Sequence, residues 1–204
     1  MHQPARMLER GAWSFLCALV LACAGWPAWA QQPYAEVTQL NVERNEDGLL
    51  LSASVRFELP HAVDDALTKG IPMFFVAEAS IYRDRWYWYD KRVAVASRHM
   101  RLAYQPLTRR WRLQVSSSPI GQSGLVLGQT FDSRDEALAA VQRISRWRVA
   151  EPGDIDTEAV HYIDFRFRLD VSQLPRPFQI GAVGQSDWNI VAARNQRLQL
   201  DPSR

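Results

Sequence analysis

Apolar and polar side chains alternate with a period of two along several segments of the chain. The clearest segment covers residues 49–59, where every second residue is apolar and the polar residues between them are Ser52, Ser54, Arg56 and Glu58. This alternation is typical of strands that bury one face. The turn-forming sequence NEDG at residues 45–48 precedes the segment and predicts a hairpin with residues 37–44.

Further strands are predicted along the rest of the chain. Residues 162–169 and 110–115 alternate in the same way, with Ile163, Phe165, Phe167 and Leu169 on one face of the first. Strands are also predicted at residues 71–81 and 86–96 and, over a shorter length, at residues 194–200.

Two helices interrupt these strands. Residues 133–147 open with Ser133 and Glu136 at the spacing of a capping box, and apolar residues follow at helical spacing. A shorter helix is predicted at residues 62–69, where Gly70 supplies a suitable C-terminal cap. The pattern therefore predicts a mainly β, α+β fold: an antiparallel sheet or sandwich with one flanking helix and a second short helix.

The N-terminal segment has the features of a secretory signal peptide. Arg6 and Arg10 precede an uncharged apolar run at residues 13–25, and Ala28 and Ala30 form an A-x-A cleavage site. We expect cleavage after Ala30, with residues 1–30 as the signal peptide and 31–204 as one globular β-rich domain in the periplasm. Two alternatives stay open, a lipoprotein anchored through Cys23 and an uncleaved N-terminal anchor.

Chemical motifs are sparse in the predicted mature chain. Both cysteines lie in the signal segment, and the three remaining histidines, His61, His99 and His161, lack the spacing of a metal-binding motif. The sequence GQSG at residues 121–124 lacks the spacing of a nucleophile elbow. The sequence therefore predicts no metal, no cofactor and no enzymatic activity. A hydrolase that works through Asp or Glu side chains is kept as an alternative.

Positive charge is concentrated in one part of a chain whose net charge is only +2. Residues 83–112 contain nine Lys or Arg against two Asp, whereas residues 31–82 contain three basic and eight acidic residues. A basic region of this kind attracts anionic partners such as an acidic protein face or an anionic lipid headgroup. Nothing in the sequence favours a nucleic-acid partner.

The sequence RDRWYWYDKRV at residues 83–93 combines this charge with four consecutive aromatic residues. As a strand, it places Trp86 and Trp88 on one face together with Arg92, Asp84 and Asp90. Aromatic and arginine side chains dominate the binding energy of protein interfaces. The predicted partner-binding residues are Arg83, Arg85, Trp86, Trp88 and Arg92.

Residues 66–94 and 101–113, the later LDVSQLPRPFQIGA at 169–182 and DWNI at 187–190 resemble the family of domain of unknown function 4390, exported proteins of proteobacteria. The similarity runs from about Tyr34 to about Gln199. The resemblance implies an envelope location and a single domain after a signal peptide. Family members are often encoded near a membrane sensor kinase, which makes such a kinase a possible partner, and no catalytic residues carry over.

The leading hypothesis is therefore a non-enzymatic periplasmic binding module, possibly associated with an envelope two-component sensor. The alternative is a peripheral envelope protein whose basic region at residues 83–112 binds anionic lipids weakly. The sequence predicts no oligomeric state.

Overall fold

The computed structural model describes residues 35–85, 89–121, 126–156, 159–182 and 188–199. The predicted signal peptide at residues 1–30 lies outside the described residues. The described residues all fall within one compact unit, residues 33–204. Among them, no helix is long and apolar enough to cross a membrane.

Nine strands and three α-helices make up the described part of the chain, and the predicted mainly β, α+β fold is confirmed. The strands are β1 (Ala35–Asn45), β2 (Gly48–Phe57), β3 (Met73–Arg83), β4 (Lys91–Gln105), β5 (Arg110–Ser116), β6 (Leu127–Phe131), β7 (Arg143–Ala150), β8 (His161–Leu169) and β9 (Val191–Arg197). The helices are α1 (His61–Thr68), α2 (Arg134–Gln142) and α3 (Arg176–Ala182).

The strands form two antiparallel sheets, one of three strands in the order β1-β2-β7 and one of six in the order β6-β5-β4-β3-β8-β9. The hairpin predicted from the NEDG turn is confirmed, because β1 pairs with β2 and Asn45 lies opposite Gly48. The alternating apolar residues of β2 are also buried as predicted, among them Leu49, Leu51 and Val55.

An aromatic cluster joins the two sheets. Phe57 of β2 contacts Phe75 of β3 and Phe167 of β8, with ring centroids 5.5 and 5.4 Å apart. Phe75 and Phe167 stack on each other at 5.7 Å. All three side chains belong to one continuous core. The inner face of the larger sheet is therefore covered by the smaller sheet. The opposite, outer face carries polar side chains such as Glu78 and Ser80, together with Phe74 and Val76, which are buried.

Helix α1 follows its prediction closely. It ends in a Schellman motif, in which the amide of Gly70 donates to the carbonyl of Leu67 and that of Ile71 donates to Ala66, both at 3.0 Å. Gly70 has a φ of +87°, a conformation that glycine adopts without steric cost.

The prediction of one helix over residues 133–147 is wrong in its second half. The N-cap is confirmed, since the Ser133 hydroxyl accepts from the Glu136 amide at 3.2 Å. The helix ends at Gln142, however, and residues 143–150 form β7, which pairs with β2. Tertiary pairing determines the conformation of this segment. Strand β7 provides hydrogen-bond partners for the edge of β2 that β1 does not pair with, and Ile144 and Val149 are buried there.

Helix α3 and strand β6 are not among the elements predicted from the sequence. Pro177 is the second residue of α3, where a proline is tolerated because the first turn needs no amide donor. Leu174, just before the helix, is buried in the core.

Candidate interaction surface

The aromatic run at residues 83–93 is part of a strand-to-strand connection. Strand β3 ends at Arg83 and β4 begins at Lys91, which lies opposite Arg83. The predicted strand over residues 86–96 is therefore wrong at Tyr89 and Asp90, which lie outside any strand, and β4 begins only at Lys91. The chain must reverse here to pair β4 with β3. Trp86 and Trp88, two of the predicted binding residues, lie outside the described residues.

The reversal also invalidates the predicted assignment of side chains to two strand faces. Asp84 and Asp90 do not share a strand face. The Asp84 amide donates to the carbonyl of Val160 at 2.9 Å, and the Asp90 carboxylate accepts from the Arg85 amide at 3.4 Å. A register shift between Ile81 and Tyr82 further changes which residues of β4 lie opposite those of β3.

Arg92 lies on the outer face of the larger sheet, at the end of a row that crosses four strands. Arg92 is opposite Tyr82, Tyr82 is opposite Tyr162, and Tyr162 is opposite Arg197. Directly opposed residues of antiparallel strands share a face. We call these four residues the tyrosine–arginine row. Three strand spacings place its two arginine Cα atoms about 14 Å apart.

The two tyrosines of the row are stacked. Their ring centroids are 5.2 Å apart and their planes differ by 10°. The Tyr162 hydroxyl donates a hydrogen bond of 2.6 Å to the Asp90 carboxylate. This hydrogen bond is the main reason that the pKa of Tyr162 is raised to about 12, because ionisation would place two negative charges side by side. The connection after β3 is thereby tied to β8 at this end of the sheet.

Both arginines of the row are exposed, and neither forms an ion pair with any described residue. Arg166, on the same face of β8, is likewise exposed and unpaired among the described residues. Arg168 differs, since it contacts Glu78 at 3.4 Å and Asp170 at 3.5 Å. The end of the sheet that carries the row therefore presents three exposed arginines that form no ion pair with any described residue, beside the carboxylates of Asp90 and Asp164.

Arg83 and Arg85 do not join the row. Arg83 points to the other side of the sheet and forms an ion pair of 3.1 Å with Asp156, which leaves its side chain 30% exposed. Arg85 is exposed in the connection between β3 and β4. Of the predicted partner-binding residues that the structure describes, only Arg92 therefore belongs to the tyrosine–arginine row.

The basic segment at residues 83–112 is divided between the two faces and the two ends of the larger sheet. Arg98 lies opposite Ala77, a core residue, and burial lowers its pKa. Its Nε atom is buried without a hydrogen-bond partner. Arg101 donates to Gln114 at 2.8 Å, and Arg110 pairs with Asp132 at 3.3 Å. The charge counted along the sequence therefore does not form one patch.

The histidines occupy three different environments. His61 begins α1 and is exposed, and His99 lies on the outer face of β4. His161 is almost completely buried, and its Nδ1 atom lies 3.0 Å from the carbonyl oxygen of Ala159. No group of three or more His, Cys, Asp or Glu side chains in the described ranges is arranged to hold a metal ion.

Three members of the row, Tyr82, Tyr162 and Arg197, were missed by the sequence prediction. Tyr162 and Arg197 lie far from the basic segment in the chain, whereas Tyr82 directly precedes it. The signal for Tyr162 was present in the alternation of residues 162–169, which places Tyr162 on the same face as Arg166 and Arg168. Only the pairing of β3 with β8 brings that face next to Tyr82.

Comparison with known proteins gives one match. The sequence model of the family described as Domain of unknown function (DUF4390) matches residues 32–197. The comparison with curated proteins finds no match, and neither does the comparison with solved structures.

Proposed function

Since the chain belongs to the DUF4390 family, whose description names no activity, we propose a function from the surface itself. The protein is an exported, non-enzymatic binding module that holds an acidic protein partner against the tyrosine–arginine row. The observation that carries the proposal is the stacked tyrosine pair between two exposed arginines that have no ion pair among the described residues.

Stacking prepares the two tyrosines for binding. Tyr82 and Tyr162 are partly exposed, yet each ring is held by the other, and Asp90 fixes the Tyr162 hydroxyl. A partner that covers rings already held in place loses less side-chain entropy than one that must order them. Tyrosine and arginine are also the residue types that contribute most often to binding hot spots.

The arginines determine the chemistry of the partner. A guanidinium binds a carboxylate through two parallel hydrogen bonds, and Arg92 and Arg197 have no acidic side chain in contact among the described residues. An acidic protein surface with carboxylates about 14 Å apart and an apolar or aromatic group between them complements the row. A membrane sensor kinase, the partner expected from the family resemblance, is the first candidate.

Charge reversal tests the proposal. We expect the double variant Arg92→Glu, Arg197→Glu to capture at least about tenfold less partner than the unmodified protein when the native envelope is crosslinked and the protein is purified. The matched control is Arg44→Glu, an exposed arginine of β1 in the other sheet. Equal capture by the double variant and the unmodified protein would contradict the proposal, and so would an equal loss in the control.

Export is tested separately. The mature protein should be recovered from the periplasmic fraction with Gln31 as its first residue, as measured by mass spectrometry. A protein that keeps residues 1–30 and stays in the membrane fraction would instead support an N-terminal anchor, and a lipid on Cys23 would support the lipoprotein alternative.

Binding to anionic lipid is a second candidate function, and the turn between β4 and β5 favours it. Leu107 at this turn is completely exposed and is followed by Arg109 and Arg110. An apolar tip beside basic side chains suits the interface of an anionic membrane. The expected result is binding to phosphatidylglycerol vesicles that weakens with salt and is lost in Leu107→Ser. Salt-insensitive binding, or none, would exclude this candidate.

A further inference from the structure

The outer face of the three-stranded sheet contains a groove that the proposed function does not use. Its volume is about 730 Å³, and strands β1, β2 and β7 form its floor. Arg194 of β9 closes one side, because β9 packs beside β1. The polar residues that line it are Thr38, Gln39, Asn41, Glu43, Ser52, Ser54, Arg143, Ser145 and Arg194.

Two irregularities in the strands shape this groove. The register between β1 and β2 shifts between Val37 and Gln39, so that Thr38 is an extra residue in β1. The register between β2 and β7 shifts at Ser52, where two residues of β7, Ser145 and Arg146, face this single residue of β2. Bulges bend a strand and redirect side chains, and they are frequent beside functional sites. Here both bulges border the same cavity.

The bulge in β7 also contains backbone strain. Arg146 has a φ of +44°, a left-handed conformation that is sterically unfavourable for any residue other than glycine. Its amide donates a hydrogen bond of 3.1 Å to the hydroxyl of Ser52 on the groove floor. The strained residue thus fixes the orientation of one of the hydroxyl groups that face the cavity.

The groove floor offers hydroxyl and amide groups that both donate and accept. The Ser54 hydroxyl is 3.4 Å from the side-chain carbonyl oxygen of Gln39, and the Asn41 amide donates to Glu43 at 3.0 Å. These contacts hold the polar groups in place, and the side chains stay accessible to solvent. Alcohol groups of a ligand can replace water on such a surface because they donate and accept in the same way.

Charge on the groove walls is positive. Arg143 is exposed and forms no ion pair with any residue in the described ranges. Within the described part of the chain, the Arg194 guanidinium donates to the carbonyls of Val37 and Thr38, both at 3.5 Å. Glu43 is the single acidic residue among the described lining residues. Two guanidinium groups against one carboxylate favour a ligand that carries one negative charge.

We propose that this groove binds a small polyhydroxylated anion, a sugar-sized molecule that carries a carboxylate or a phosphate. Its hydroxyl groups lie on Ser52, Ser54 and the side-chain amides, and its anionic group lies between Arg143 and Arg194. The volume falls within the range of about 300–1,000 Å³ that is usual for small-molecule sites. The polar lining excludes a mainly apolar ligand, which would leave these groups without partners.

Titrations followed by ¹H–¹⁵N NMR test the proposal with glucuronate, glucose 6-phosphate and uncharged glucose as probes. We expect saturable shifts of the amides at residues 39–43, 52–54 and 143–146 with at least one anion, and at least about tenfold weaker binding of glucose. A carboxylate-specific site responds to glucuronate and a phosphate-specific site to glucose 6-phosphate. Failure of both anions to give saturable shifts overturns the proposal, and so does equal binding of glucose.

Variants locate the site. Arg143→Ala and Arg194→Ala should each weaken anion binding about tenfold. Arg148→Ala is the matched control, since Arg148 is exposed on the same strand but pairs with Glu151 outside the groove. An equal loss in this control means that binding depends on general charge and overturns the proposal. The tyrosine–arginine row lies on the other sheet, so anion binding should survive Arg92→Glu, whatever the outcome of the partner-capture experiment.

Discussion

Gly48 offers a sharp test of how the two bulged strands β2 and β7 are packed. It begins β2 with a φ of +114°, and a Cβ atom added there would lie 2.0 Å from the carbonyl oxygen of Ala150 in β7. The neighbouring residue Leu49 lies opposite Ala150 in the sheet, and both are buried. The substitution Gly48→Ala therefore introduces two costs, one in the backbone conformation and one in the contact with β7.

The two costs can be estimated separately. A left-handed conformation costs a non-glycine residue about 1–2 kcal/mol. The contact adds a second cost, because the oxygen must retreat from 2.0 Å to the ordinary contact range that begins at 3.4 Å. That retreat strains or breaks the β2–β7 pairing beside Leu49, and overpacking of this kind costs about 1–3 kcal/mol. We expect Gly48→Ala to lower the free energy of unfolding by about 2–5 kcal/mol, the sum of the two costs and a large part of the total for a domain.

Two other glycines provide matched controls for unfolding in urea followed by tryptophan fluorescence. Gly70→Ala meets nothing closer than 3.7 Å and has a φ of +87°, so it should lose only about 1–2 kcal/mol. Gly153→Ala meets nothing within 4 Å and has no left-handed φ, so it should stay within about 0.5 kcal/mol. Equal losses for Gly48→Ala and Gly70→Ala at an unchanged denaturant slope would refute the contact with Ala150.

Two further predictions concern single side chains. Because the folded-state pKa of Tyr162, about 12, lies above the ordinary value, its hydrogen bond to Asp90 stabilises the protein fully below about pH 10 and loses this effect as the pH rises through 12. Asp90→Asn should move the pKa of Tyr162 toward 10, as measured by absorbance at 295 nm with Tyr162→Phe as the reference. It should lower the free energy of unfolding at neutral pH by less than about 1 kcal/mol, because solvent screens the pair. An unchanged titration of Tyr162 would disprove the hydrogen bond. Arg146→Gly should raise the free energy of unfolding by up to about 1 kcal/mol, because glycine adopts the φ of +44° without strain. Arg146→Ala is the control and should give no such increase. A lower stability of Arg146→Gly would show that contacts of the arginine side chain outweigh the backbone strain.

The strands of this protein were predictable where one face is buried and the other is not. In β2 and β8 every second residue enters the core, so the alternation in the sequence reflects the packing directly. The segment after Gln142 was mispredicted because an apolar residue at position 144 fits the buried face of a longer helix as well as that of strand β7. Only the open edge of β2 decides between them, and that edge is not visible in the sequence around Ile144.

The candidate surface was predictable in part. Arg92 was identified from its aromatic neighbours in the sequence, but its structural neighbours are Tyr82 and, one strand further, Tyr162. Their proximity depends on a strand register between distant segments, which local patterns do not encode. The reversal between Arg83 and Lys91 was missed for a simpler reason: the connection contains no glycine or proline to signal a turn.

The order of strands in the two sheets determines which strand pairings can form only late in folding. The central strands β2 and β3 each depend on a partner from the last third of the chain: Ser52 meets Arg146 across 94 positions, and Glu78 meets Arg168 across 90. Neither sheet can close until those late strands are available. Such distant pairings slow folding to about milliseconds to seconds. Because the chain is synthesised from its N-terminus, β2 and β3 spend that interval without these partners, a state that exposes unpaired strand edges to chaperones and to aggregation.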